Sequence, residues 1–245
     1  MKTTARRDGD RWVLSGQKTF ISNGILADIV VVAARTGNGS TPAHHGVSLF
    51  IVERDVPGFT RGQPIGKIGL KAQDTAELFF DDCILPAESL LGGEGGGFIY
   101  LMEKLQPERL VCAIASQAAA ERCLEMTIEY AKERKLFGKP LSKFQNTQFV
   151  CAEVAAEIAV GRSFVDALIN AHMAGKSVVQ ETCMAKLWVT EMAKRVADRC
   201  LQIFGGYGYC TDYLISRFYV DARIQTIYAG TSEVMKMIIS RGLDM

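Results

Sequence analysis

A glycine-rich run, Gly92-Gly93-Glu94-Gly95-Gly96-Gly97, divides the chain into two textures that one kind of secondary structure cannot serve. Before it, apolar residues come in short runs broken by turn residues; after it, they recur at helical spacing. Ile29 to Ala34 and Val47 to Val52 are strand runs, and a further one from Glu77 stops at Pro86. Arg11 to Gly24 reads as a short strand, a Ser15-Gly16 turn, and a second strand ending at Asn23-Gly24. Several short strands with no helix between them predict a partial antiparallel barrel or sandwich over residues 1–91. The glycine run has neither the spacing nor the strand–turn–helix setting of a phosphate loop, so it reads as a connector.

Residues 92–245 predict an up-down bundle of four to five helices, which makes the chain α+β. A long helix covers Phe98 to Lys132, with Pro107 kinking or restarting it. Ser142-Lys143-Phe144-Gln145 has the form of a capping box and predicts a helix start that runs on to about Ala174. Ala152, Ala155, Ala156 and Ala159 in that helix suit close approach of a neighbour. Met184, Trp188, Met192, Val196, Cys200 and Phe204 recur every fourth residue, one apolar stripe that ends at Gly205-Gly206. A short helix around Tyr213 to Asp221 follows, then a last one from Thr231 to Arg241 with Thr231 as its N-cap.

Composition narrows the function classes. With 48% hydrophobic and 22% charged residues over 245 positions, the chain has material for a core and no signature of disorder. A net charge of +1 supplies no field for nucleic acid or an anionic membrane, so an anionic ligand needs a local cluster of donors. No apolar run reaches the roughly 18 residues of a membrane span, and no signal core follows Met1, which predicts an intracellular protein. The seven cysteines show no CxxC spacing and sit mostly in apolar helical runs, as reduced, buried thiols do. His44, His45 and His172 lack metal-ligand spacing, so no metal is expected.

Four motifs carry chemistry. Arg134-Lys135-Leu136-Phe137-Gly138, followed by Gln145, is a basic helix end and turn, and an arginine fork of this kind can grip a pyrophosphate through two hydrogen bonds. Gln202-Ile203-Phe204-Gly205-Gly206-Tyr207-Gly208-Tyr209 serves as a helix C-cap, and its glycines also let backbone approach a flat or phosphorylated ligand. Thr231-Ser232-Glu233 opens a helix whose first N–H groups favour an anion. In Lys18-Thr19-Phe20-Ile21-Ser22-Asn23-Gly24, the bare reading makes Phe20 core and Ser22 a strand-end residue.

In their order along the chain, together with Leu105-Gln106-Pro107-Glu108-Arg109-Leu110, Gly69 to Thr75 and Tyr228-Ala229-Gly230, these segments resemble the acyl-CoA dehydrogenase family, in its isovaleryl and long-chain branch. The likeness runs from about Lys2 to Arg241 and implies the C-terminal part of the middle β domain (1–91) and the C-terminal helical domain (92–245). It implies an FAD enzyme that oxidises acyl-CoA to 2-enoyl-CoA by α-proton removal and β-hydride transfer to the flavin. Phe20, Ile21, Ser22, Arg134, Phe137, Gln145, Gln202, Ile203, Phe204, Gly205, Gly206, Thr231, Ser232 and Glu233 would contact FAD, some across a subunit interface. Arg109, Tyr228 and Gly230 would lie at the substrate. Many family members hold their catalytic glutamate where Ala229 stands; the branch resemblance moves the base to Glu108, which otherwise reads as an ordinary first-turn carboxylate beside Pro107.

The resemblance further implies an electron-transferring flavoprotein as acceptor, a homodimer or homotetramer, and a bacterial cytoplasm or mitochondrial matrix. It also implies that an N-terminal helical domain and the start of the β domain, with a T-E-P-x-A-G-S-D-type segment, are missing ahead of Met1, so that the chain binds FAD weakly and turns over poorly. Two other readings stay open: an inactive or assembly-only subunit, supported by Ala229, and an acyl-CoA oxidase, in which dioxygen reaches the reduced flavin.

Overall fold

The computed structural model describes residues 1–37 and 46–243, which form two compact units, Met1–Lys104 and Leu105–Met245. His44 and His45 lie outside the described residues.

The first unit is a seven-stranded sheet: β1 Thr4–Asp8, β2 Arg11–Ser22, β3 Ile29–Arg35, β4 Val47–Glu53, β5 Phe59–Arg61, β6 Thr75–Pro86 and β7 Leu90–Leu91. Their order is β5-β6-β2-β1-β3-β4-β7, and the ladders are antiparallel except β1 with β3, which meet in parallel at Thr4 and Arg35. The antiparallel pairing is as expected; the sheet is open, with β5 and β7 at its edges, and no closed barrel forms among the described residues. Alternation along the strands buries Trp12, Leu14, Val32, Phe50, Leu78 and Leu85 in one core, where the Trp12 and Phe50 rings meet edge to face at 5.2 Å.

Ser15-Gly16 is not a turn. β2 runs through it as one strand paired with β6, with a bulge between Leu14 and Gly16. Gly16 sits at φ +135, and a Cβ there would meet Thr3 Cα at 2.7 Å, so the glycine serves a close approach inside a strand.

In the second unit, α1 Gly97–Glu133 leads into a hairpin of β8 Lys135–Leu136 and β9 Lys139–Pro140; α2 Gln145–Met173, α3 Val179–Phe204, α4 Leu214–Ala222 and α5 Ser232–Arg241 follow. The start of α1, up to Lys104, belongs to the sheet unit, where Gly97 packs against β4. Pro107 neither ends nor restarts α1; the helix runs on through it without the one hydrogen bond that proline cannot donate. The capping box at Ser142 does not form either. Leu141–Lys143 is a short 3-10 turn, the extended Phe144 precedes the helix, and Gln145 is its first residue.

α3 is the centre of the bundle and packs against α2, α4 and α5. Of its expected stripe, Met192, Val196, Cys200 and Phe204 are buried and Met184 and Trp188 half-buried, but the buried face also takes in Cys183, Lys186, Val189 and Thr190. Ala152, Ala155, Ala156 and Ala159 are exposed in the chain by itself. Close helix approach occurs instead at Gly161, where a Cβ would strike the amide oxygen of Gln117 on α1 and lie 3.1 Å from Trp188 on α3. Gln117 Nε2 donates to Ile158 O at 2.9 Å, and Arg162 grips Glu121 through two nitrogens at 2.8 and 2.6 Å, joining α2 to α1.

All seven cysteines are free: five buried, Cys151 half-buried and Cys210 exposed. Burial pushes the Cys123 thiol up strongly and the Cys200 thiol to about 11, as suits packing residues rather than nucleophiles. No helix among the described residues is long and apolar enough to cross a membrane. None of their His, Cys, Asp and Glu side chains form a group placed to hold a metal ion.

Candidate active site

In the helical unit, the end of α1, the start of α2 and the end of α3 enclose a cleft of about 770 Å³. Arg134, Gln202, Ile203, Phe204, Gly205 and Gly206 all line it. Gly205 follows the last residue of α3 at φ +61, a conformation that suits a residue without a Cβ. A Cβ on either Gly205 or Gly206 would meet no atom within 4 Å, so these glycines leave room on the cleft side. The Arg134 guanidinium stands over the Tyr207 ring at 5.3 Å, and Phe204 stacks on Tyr130 at 4.1 Å. Tyr130, Tyr207, Asp198 and Arg199 also line the cleft and were not among the expected site residues. Their signal was available: Tyr130 lies one helical turn before Arg134, and Asp198 and Arg199 one turn before Gln202 and Ile203.

Gln145 and Phe137 do not line this cleft. Gln145 is exposed at the start of α2, beside the lining residue Asn146. Phe137 is 93% exposed at the tip of the β8–β9 hairpin, with φ +49.

A second cluster surrounds the turn that precedes α5. Thr231 caps the helix as expected, its hydroxyl accepting from Val234 N at 3.3 Å. Ser232 is buried and donates to Glu191 Oε1 on α3 at 2.8 Å. Glu233 is exposed in the first turn, where its own backbone N–H and the Thr231 hydroxyl hold its carboxyl below the usual range. Just before the cap, Ala229 and Gly230 both lie at positive φ, +52 and +95. Left-handed backbone at an alanine is costly and persists only where its surroundings enforce it. Here two buried cations do so. Arg109 Nε on α1 donates to Ala229 O at 3.4 Å, and Lys186 Nζ on α3 donates to Gly230 O at 2.6 Å.

Arg109 is thus turned inward, with Nη1 also 3.8 Å from Cys183 Sγ, whereas its neighbour Glu108 is exposed. Tyr228 is 41% exposed; the burial of the rest of it, with the Cys112 thiol nearby, pushes its hydroxyl up to about 12. Lys186 is not among the expected site residues, although a lysine three residues from both Cys183 and Val189 interrupts an apolar helical face.

In the sheet unit, Phe20 occupies a second bulge of β2, between Lys18 and Ile21. The extra residue puts Phe20 at φ +60 and turns its ring outward, 74% exposed, rather than into the core. Ile21 is half-buried and Ser22 exposed at the strand end. Lys18 anchors the bulge by donating to Ala33 O at 2.7 Å, and burial lowers its pKa.

These features have counterparts in known proteins. The family profile described as the acyl-CoA dehydrogenase C-terminal domain matches residues 95–243, and that of the middle domain matches residues 1–83. This chain belongs to the acyl-CoA dehydrogenase family. It is 47% identical to the long-chain specific acyl-CoA dehydrogenase of Sus scrofa mitochondria over 98% of its own length and 56% of that protein's. Among solved structures, it superposes on an acyl-CoA dehydrogenase from Geobacillus kaustophilus with a TM-score of 0.98 at 58% identity, covering all of this chain and 64% of that one. The butyryl-CoA dehydrogenase of Megasphaera elsdenii gives 0.94 at 38%, over 100% and 63%. The chain therefore spans a little over half the length of the curated long-chain relatives, which agree with the long-chain side of the resemblance.

Proposed function

We propose that this chain supplies the flavin-binding and acyl-CoA-binding residues of an FAD-dependent acyl-CoA dehydrogenase, with residues 1–91 and 92–245 as its β and helical parts. The observation that carries this reading is the cleft that gathers Arg134 and Gln202 to Gly206. Its chemistry fits the group: an exposed guanidinium for a pyrophosphate, a ring beside it, and two glycines whose missing side chains leave the space a flat ligand needs. FAD, when bound, supplies the acceptor for the substrate's β-hydride. On the sheet unit, Phe20, Ile21 and Ser22 present an outward aromatic ring, a half-buried side chain and a hydroxyl, groups suited to a flavin; on the helical unit, Thr231, Ser232 and Glu233 bring a helix N-terminus. Phe137 and Gln145 lie outside the cleft of their own chain, which supports contacts to a neighbouring subunit and hence a homo-oligomer.

Proton removal falls to Glu108. Ala229 offers only a methyl group at the position where many relatives carry a carboxylate, and Glu108 stands next in sequence to Arg109, which binds the Ala229 carbonyl. A positioned carboxylate that takes the α-proton contributes about 10²–10⁴-fold to such a reaction. Tyr228, Gly230 and Arg109 shape the substrate side of the turn. The long-chain relatives favour a long-chain acyl-CoA thioester as substrate. An electron-transferring flavoprotein would remove the electrons, in a bacterial cytoplasm or mitochondrial matrix.

The test is dye reduction by the purified chain with acyl-CoA, alongside its flavin content. Glu108→Gln should lower turnover by about 10²–10⁴-fold with flavin content unchanged; undiminished turnover would overturn the assignment of the base. Ala229 also suits an assembly-only subunit, and a chain that oligomerises but takes up no flavin would favour that reading.

A further inference from the structure

Lys186, in the third turn of α3, is completely buried, and lysine is among the residues least often found in a core. Its ammonium is not committed to the carboxylate on its own helix: Glu191 is held by Lys194 at 2.6 Å and by the Ser232 hydroxyl at 2.8 Å. Instead it donates to a backbone carbonyl, that of Gly230, at 2.6 Å. The other charged or titratable groups around it are Cys112 and Arg109 on α1 and the exposed Glu233 on α5. Burial, the largest influence, lowers its pKa, and the Arg109 charge pushes the same way. A scaffold has little use for this arrangement, since a well-packed apolar side chain of similar size costs less than a buried charge.

The benefit lies in the peptide plane. The C=O and N–H of a trans peptide point in opposite directions. Drawing the Gly230 carbonyl toward Lys186 therefore aims the Thr231 N–H away from α3, and drawing the Ala229 carbonyl toward Arg109 aims the Gly230 N–H away from α1. Two successive N–H groups are thereby fixed at the entry to α5. We infer that Lys186 is a positioning residue, which sets the Gly230–Thr231 peptide so that its N–H faces the ligand side of the turn. It touches neither substrate nor cofactor. The inference rests on the proposed dehydrogenase reading for its catalytic consequence, though not for its structural one.

Two variants of the full chain test it. Lys186→Met keeps the volume and removes the donor; Lys186→Gln restores a neutral donor. In amide hydrogen exchange followed by mass spectrometry, Lys186→Met should speed exchange of the segment covering Tyr228 to Val234 by about tenfold or more. Exchange along the rest of α3 should stay slow, and the thermal midpoint should hold or rise. With FAD and acyl-CoA, kcat should fall by about tenfold or more while KM moves less than about threefold, and Lys186→Gln should recover most of the loss. Unchanged exchange at the turn in Lys186→Met would overturn the inference. So would parallel losses of midpoint and kcat that Lys186→Gln fails to relieve, because they describe a lysine that only holds the bundle together. A wild-type chain without flavin-dependent turnover would count against the proposed function alone, and the exchange result would still decide the role of Lys186.

Discussion

Two tight turns in the helical unit place adjacent residues in the left-handed region and are held there in opposite ways. At Ala229-Gly230, φ is +52 and +95, and buried side chains from α1 and α3 hold both carbonyls. At Phe137-Gly138, φ is +49 and +78, yet Phe137 is 93% exposed and a Cβ on Gly138 would meet nothing within 4 Å. The second turn needs no buttress, because paired left-handed residues match the twist of a two-residue hairpin. The first connects a 3-10 turn to a helix, where no ladder demands that conformation. Local geometry accounts for one turn; only the surrounding structure accounts for the other.

Replacing the glycines separates the two cases. Gly230→Ala adds a Cβ 2.7 Å from Met235 Cε, in a fully buried side chain, and does so at φ +95. It should cost about 2–3 kcal/mol in denaturant unfolding, combining strained backbone with an overpacked core. Gly138→Ala faces open space and carries only the penalty of its backbone, about 1 kcal/mol. Equal losses at the two positions would break the distinction between a buttressed and a self-sufficient turn.

Alkaline titration distinguishes them further. Tyr228 ionises near 10.0 when unfolded and near 12 in the folded chain, so its protonated form stabilises fully below pH 10 and that stability is lost as pH rises toward 12. Cys200, raised from 9.0 to about 11, acts with the same sign over a lower window. Lys186, whose folded pKa is lowered, opposes both, since the buried ammonium sheds its proton more readily than the unfolded one. Tyr228→Phe should therefore lose less stability between pH 9 and 11 than the wild type, as read from thermal midpoints across that range. The Gly138→Ala penalty should not change with pH, because its turn is built from backbone geometry.

How far each turn was legible follows from the same difference. The hairpin and the Thr231 cap are local chemistry, written in neighbouring residues, and so is the glycine-terminated end of α3. The sheet's strands were legible as runs, but Ser15-Gly16 was misread because the residues that make a turn also make a bulge. Ser142 was misread because the extended Pro140 and the 3-10 turn after it delay the helix to Gln145. The resemblance picked out Phe20 as a site residue, yet nothing in the strand pattern showed the bulge that turns its ring outward. Lys186 lay beyond local reading altogether. Its partner is 44 residues away, and its only trace is a charge on an apolar face.

The smallest expected effect bears most directly on the comparison. Ala229→Gly removes a strained alanine from φ +52, worth about 1 kcal/mol, but frees the unfolded chain by about 0.4–1 kcal/mol, so stability should rise by no more than about 0.6 kcal/mol. The effect should appear in order rather than stability. With Arg109 and Lys186 still gripping the two carbonyls, amide exchange at the turn should stay slow despite the added freedom. In Lys186→Met the same Ala229→Gly change should offset part of the faster exchange, because a glycine adopts φ +52 without strain and needs the buttress less. Simple additivity of the two effects would mean that the buried cations do not enforce the left-handed alanine.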